Sequence, residues 1–159
     1  MSCRTLILGF GNPGRCDDGI GPALAEQAEK WGLAGVEVTV DYQLNIEHAA
    51  EVAGAELVIF IDASLTAAAP FSFQRLEARL KNDFTTHAML PETVLETSRK
   101  IYGVLPPAYV LAVRGERFEL GEGLSPRARE YLDEAEKLLK MILSAEDRRA
   151  ACLRAAGTM

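Results

Sequence analysis

Four aspartates and a histidine stand where they could do chemistry together: Asp17, Asp18, Asp41, Asp62 and His87. Carboxylates and neutral imidazole are ligand types that nickel and zinc both accept. Two carboxylates and one imidazole would form an open site, with positions left for substrate or water. The same groups can take up and deliver protons. Each residue also has an ordinary alternative. An aspartate after a strand often forms a turn or caps a helix, and a loop histidine can be satisfied by backbone. His48 is the only other histidine in the chain. The combination carries the chemical reading: several loops each bring an oxygen or nitrogen ligand.

The elements that must position these residues can be read from the hydrophobic pattern. Thr5 to Leu8 is an apolar run that ends at Gly9, and Asp17 and Asp18 lie in the loop beyond it. A helix is expected from about Gly19 to Trp31, with Leu24 and Ala28 on one face. "VEVTV", Val36 to Val40, alternates as a strand does, and Asp41 follows it directly. "NIEHAAEVA" is expected to be a short helix with Asn45 as its N-cap. "LVIFI", Leu57 to Ile61, is the most hydrophobic run and suits a strand buried on both faces, with Asp62 directly after it. Phe71 to Ala78 alternates again. His87 lies in a loop leading into a helix from Pro91 to about Tyr102, proline being favoured at a first helical position. Ala108 to Val113 is a further buried strand. The last main helix is expected from Pro126 to Leu143, capped by Ser125.

Strands alternate with helices, so the expected class is α/β: a three-layer sandwich of a largely parallel, twisted sheet with helices on both faces. Sites in such sheets lie at the C-terminal ends of the strands. The expected domain spans residues 1–143, and residues 144–159 form a tail that is either a short helix or a frayed end.

The glycine loop admits rival readings. "LILGFGNPGRCDDGIG", residues 6–21, contains G-x-G-x-x-G at Gly9, Gly11 and Gly14. In a dinucleotide site that loop opens straight into a helix whose N-terminus receives a pyrophosphate. Here Gly19 and Gly21 would then weaken the first turns, each by ~1 kcal/mol relative to alanine, and two aspartates would face the phosphate. Asp41 could mimic the ribose-binding acid, yet a bare glycine pattern is a weak signal. Cys16 with His87 is a second rival, a thiol nucleophile. Adjacent carboxylates raise a thiol's pKa and suppress the thiolate. A metal meets no such conflict. Glycines let backbone approach a ligand closely, and Asp17 could orient Asp18 or the loop from behind.

The 159 residues are the length of one ordinary domain. A composition of 48% hydrophobic and 25% charged residues is that of a soluble globular protein. A net charge of -6 disfavours nucleic acid as a partner. Three cysteines without a C-x-x-C suggest neither a disulfide framework nor a zinc knuckle, and a reducing compartment is the simple reading. No apolar run reaches the ~20 residues of a membrane span. The N-terminus lacks a signal peptide's apolar core. The expected location is the cytoplasm.

Three blocks then show a resemblance. "GFGNPGRCDDGIGP", "FIDA" and "TTHAMLPETVL" together resemble the hydrogenase maturation endopeptidases, over about Leu6 to Leu143. "DYQLNIEHA" and "AVRGERFELGEGLS" further resemble the branch serving soluble, NAD-reducing or related nickel-iron hydrogenases. The resemblance implies removal of a C-terminal extension from the hydrogenase large-subunit precursor after nickel insertion. It implies metal contacts, and the catalytic site, at Asp18, Asp62 and His87. Nickel would be presented by the substrate, and zinc or cadmium could substitute. Relatives often carry Glu at the Asp18 position, so a metal here must lie closer to the backbone. A nickel- and precursor-binding chaperone would use the same ligands without cutting. Peptidyl-tRNA hydrolases share the G-x-G-N-P-G loop but need a histidine soon after it. Here "RCDDGIG" follows, with no histidine before His48.

Overall fold

The apolar runs become the strands of one five-stranded sheet. In a computed structural model, which describes residues 3–79 and 89–157, these strands are β1 (Thr5–Phe10), β2 (Val36–Asp41), β3 (Leu57–Ser64), β4 (Phe71–Arg75) and β5 (Ala108–Arg114). They lie in the order β2-β1-β3-β5-β4. All neighbours are parallel except β4, which runs antiparallel to β5 at one edge. The largely parallel sheet expected from the sequence is therefore present.

Side chains on a strand alternate between its two faces, and the core divides accordingly. Ile7, Leu57, Ile59, Ile61 and Leu111 face α1 (Ile20–Lys30), α4 (Pro126–Ser144) and α5 (Arg148–Gly157). Leu6, Leu8, Val58 and Phe60 face α2 (His48–Ala53) and α3 (Pro91–Tyr102). The central strand β3 is buried from Leu57 to Ile61, as its continuous apolar run requires. Helices on both faces complete the expected three layers.

Local sequence sets several boundaries. Ser125 caps α4, its Oγ accepting from the Ala128 N–H, and Pro126 follows at the first helical position. Pro91 likewise opens α3, which ends at Gly103 in the left-handed conformation, φ 69°.

Other boundaries differ from the sequence reading. β3 continues to Ser64, because pairing with β5 carries on through Asp62, Ala63 and Ser64 after the apolar run stops. Asp62 thus stands within a strand rather than after one. β4 stops at Arg75 instead of Ala78, since its partner β5 begins at Ala108 and an antiparallel strand cannot pair beyond that start. Asn45 does not cap α2. Its Oδ1 accepts from the Glu47 N–H in a turn, and the helix begins at His48. A 3₁₀ helix, Cys16–Gly19, precedes α1, which starts at Ile20. Within residues 144–159, Arg148–Gly157 is helical, and α5 buries Ala151, Cys152 and Ala155 in the core. Among the described residues, no helix is long and apolar enough to cross a membrane.

Candidate active site

The chain packs very closely where β1 meets α1. A Cβ on Gly21 would stand 2.4 Å from the Phe10 carbonyl oxygen and 2.6 Å from that of Ile61. A Cβ on Gly9 would stand 2.4 Å from the Gly21 oxygen. Backbone thus packs directly on backbone, with no room for a side chain. Gly11 has φ 146°, and a Cβ there would stand 2.0 Å from the Asp18 oxygen. These glycines serve helix-on-strand and loop-on-helix packing. The 3₁₀ helix bearing both aspartates intervenes between the glycine loop and α1, where a pyrophosphate-binding loop would open directly into its helix.

Asp17 and Asp18 point to different tasks. Asp17 is fully buried. Its Oδ2 accepts from the Glu116 and Arg117 N–H groups and from the Ser125 hydroxyl, and its Oδ1 accepts from the Ser125 N–H, at 2.7–2.9 Å. Burial raises its pKa. The donors on Ser125, Arg117 and Glu116 outweigh that and hold it below the usual carboxylate value. The 3₁₀ helix is further tied to the loop after β5 by Cys16 N–H to Gly121 O and Asp17 N–H to Arg117 O, both 2.8 Å. Asp17 is an anchor, not an open ligand. Asp18, half-buried, is oriented among the described residues by a bond from the Asn12 N–H to its Oδ2 at 2.8 Å.

Asp62 stands on β3, beside β1 and one residue beyond Ile61, the register partner of Gly9. Its Oδ1 accepts from the Ala63 N–H at 2.8 Å. Burial pushes its pKa up to about 7. The Ala63 bond opposes this, and the nearby negative charge of Asp18 adds to it. Asp18 and Asp62 are therefore brought together at the C-terminal ends of the two central strands. Two carboxylates within electrostatic reach of each other resist carrying charge together, and a cation between them would relieve that.

Asp41 ends β2 at the same edge of the sheet, paired with Phe10, but it is engaged elsewhere. Its Oδ2 lies 3.3 Å from Nε2 of buried His48, and its Oδ1 accepts from the Tyr42 N–H. His48 Nδ1 accepts from the Asn45 N–H, so its proton sits on Nε2, facing Asp41. This is a closed structural unit. Cys16 is buried at φ 48°, with its sulfur against Gly121. His87 lies outside the described residues.

Some contributors escaped the sequence reading. Asn12 orients Asp18 through its backbone, and Glu116, Arg117 and Ser125 hold Asp17 from 99 to 108 residues away. Backbone donors carry no residue signature. Only the "GEGLS" block and the capping serine hinted that the loop before α4 has a fixed partner.

No protein-family model matches the chain, and no curated protein matches it. Solved structures do. The NiFe hydrogenase maturation protease HycI from Thermococcus kodakarensis KOD1 superposes with a TM-score of 0.70 at 21% identity, covering 90% of this chain and 94% of that one. The hydrogenase maturating endopeptidase HybD from E. coli gives 0.69 at 23% identity, covering 88% and 91%. The hydrogenase 2 maturation peptidase from Thaumarchaeota archaeon SCGC_AB-539-E09 gives 0.67 at 25% identity, covering 90% and 99%. The fold of this chain is that of the hydrogenase maturation endopeptidases, the family its sequence resembles.

Proposed function

We propose that the protein is an endopeptidase that removes the C-terminal extension of a nickel-iron hydrogenase large-subunit precursor. The observation that carries this reading is the pairing of Asp18 and Asp62 at the C-terminal edge of the sheet, within the fold of named maturation peptidases. In this reading nickel belongs to the substrate. Asp18, Asp62 and His87 are the residues that grasp it, and the donor set of carboxylates and imidazole suits nickel, with zinc or cadmium as substitutes. A bound divalent ion supplies polarisation of a carbonyl or activation of water. Before a metal is bound, Asp62 also has proton chemistry of its own. A carboxyl with a pKa of about 7 can accept or deliver a proton at neutral pH. Asp17 keeps the loop in place, and Asn12 aims Asp18.

The test is intact-mass analysis of the cognate precursor, nickel-loaded and nickel-free, after incubation with the protein. Loss of a C-terminal peptide from the loaded form alone, abolished by Asp62→Ala, is expected. Tight binding with no mass loss would instead assign a precursor-holding chaperone.

A further inference from the structure

Beside the aspartate pair, an open cleft of about 270 Å³ includes Gly11 in its wall. Pro13, Pro22 and Val40 give it an apolar side, Glu26 and Asp41 bring carboxylates, and Tyr42 is 71% exposed at its edge. Asp41 is occupied by His48 and the Tyr42 N–H. Among the described residues, no ion pair or hydrogen bond engages Glu26, which is exposed on α1 where it lines the cleft. The combination has a chemical complement: a flexible apolar stem ending in a cation. Aliphatic carbons pack on proline and valine, a guanidinium or ammonium meets the Glu26 carboxylate, and an exposed tyrosine ring accepts a cation over its face. The cleft is also placed for a peptide. β2 is an edge strand, so one side of its backbone is unpaired within the sheet, and extended peptides bind such edges. Gly11 joins the cleft to the centre directly, since Asn12, the next residue, holds Asp18.

We propose that this cleft, with Glu26 and Tyr42 as its selective residues, receives an arginine or lysine side chain of the precursor near the scissile bond. This rests on the endopeptidase reading and adds to it a specificity subsite. Glu26 and Tyr42 bind and position; neither takes part in the bond-breaking step.

The test is steady-state cleavage of nickel-loaded precursor by wild type, Glu26→Gln, Glu26→Lys and Tyr42→Ala. The precursor is used as it is and with each Arg or Lys within about six residues of the cut, roughly 20 Å of extended chain, replaced by Glu. Glu26→Gln and Tyr42→Ala are expected to raise KM about tenfold with little change in kcat. One substrate replacement should abolish that sensitivity, and Glu26→Lys should restore cleavage of that same substrate. Unchanged KM in both variants, or a loss that persists whatever the substrate charge, overturns the proposal. A separate arm needs no cleavage. Amide shifts of Gly11, Glu26 and Tyr42 are followed while acetyl-Ala-Arg-Ala-amide is added, with acetyl-Ala-Ala-Ala-amide as control. Arginine-specific shifts lost in Glu26→Gln support the subsite even if wild type cuts nothing, in which case the peptidase reading fails alone. Absence of such shifts counts against the subsite itself.

Discussion

Two aspartates 45 positions apart show opposite electrostatics for reasons visible in their surroundings. Asp17 is buried but receives four hydrogen bonds, so its charged form is stabilised. Replacing it by asparagine keeps the shape and puts an amide donor among donors. Asp17→Asn is expected to lower unfolding free energy by about 2–3 kcal/mol in urea titrations at pH 7. Its folded pKa lies below the ordinary 3.8, so the stabilisation is complete above that value and fades as pH falls through the lower folded pKa. The gap between wild type and variant should therefore hold from pH 8 to pH 4 and close only in stronger acid. Asp62 behaves in the reverse sense. With a folded pKa of about 7, the folded state keeps a proton that the unfolded chain has released above 3.8. Stability falls as pH rises from about 4 to 7, and the full cost is present above 7. Asp62→Asn should be more stable than wild type at pH 8, by on the order of 1–3 kcal/mol, and no better at pH 4. The same proton competes with a metal, because a ligating carboxylate must be deprotonated. Nickel or zinc affinity, measured calorimetrically, should weaken as pH drops below about 7, with proton release on binding.

At the scale of elements, the contact between β1 and α1 leaves no room for a side chain. Gly21→Ala would press a methyl group against the carbonyl oxygens of Phe10 and Ile61, backbone atoms that cannot rotate away. It is expected to cost about 3 kcal/mol or more and, by lifting α1, to displace Asp18, so that residual folded protein binds metal poorly. Circular dichroism melting and metal titration together check this. The sequence made most elements legible, because buried parallel strands announce themselves as apolar runs and two helices open on Pro91 and Pro126. Their ends were less legible for reasons of pairing. β3 runs past its apolar stretch because β5 is there to bond it, and β4 falls short because β5 is not. Asn45 had the right chemistry for a cap, but its side chain went to Glu47 one turn too early. Of the candidate centre, the acidic residues could be placed from their position at the ends of apolar runs, although Asp62 proved to lie inside β3 rather than after it. The division of labour between Asp17 and Asp18 could not, since it depends on distant backbone N–H groups.

At the scale of the whole molecule, the last helix joins the first strand. Arg148 on α5 is buried, and its guanidinium donates to the carbonyl oxygens of Leu143, Cys3 and Ala34 at 2.8–2.9 Å. Chain truncation after Ser144 would strip Ala151, Cys152 and Ala155 from the core and leave those carbonyls without their donor. Such a truncation is expected to lower stability by several kcal/mol, about 4 or more, seen as a melting temperature reduced by over about 10 °C. The Asp17 anchor has a consequence in time as well as space. Its partners stand 99 to 108 residues further along the chain. Contacts of such separation form late and slowly, and a chain emerging from the ribosome grows from its N-terminus. The loop carrying Asp18 is thus made first and locked last. A nascent chain that stops short of Glu116 has both aspartates but none of the distant donors that anchor Asp17, so the candidate catalytic edge is fixed only after the loop beyond β5 has been made.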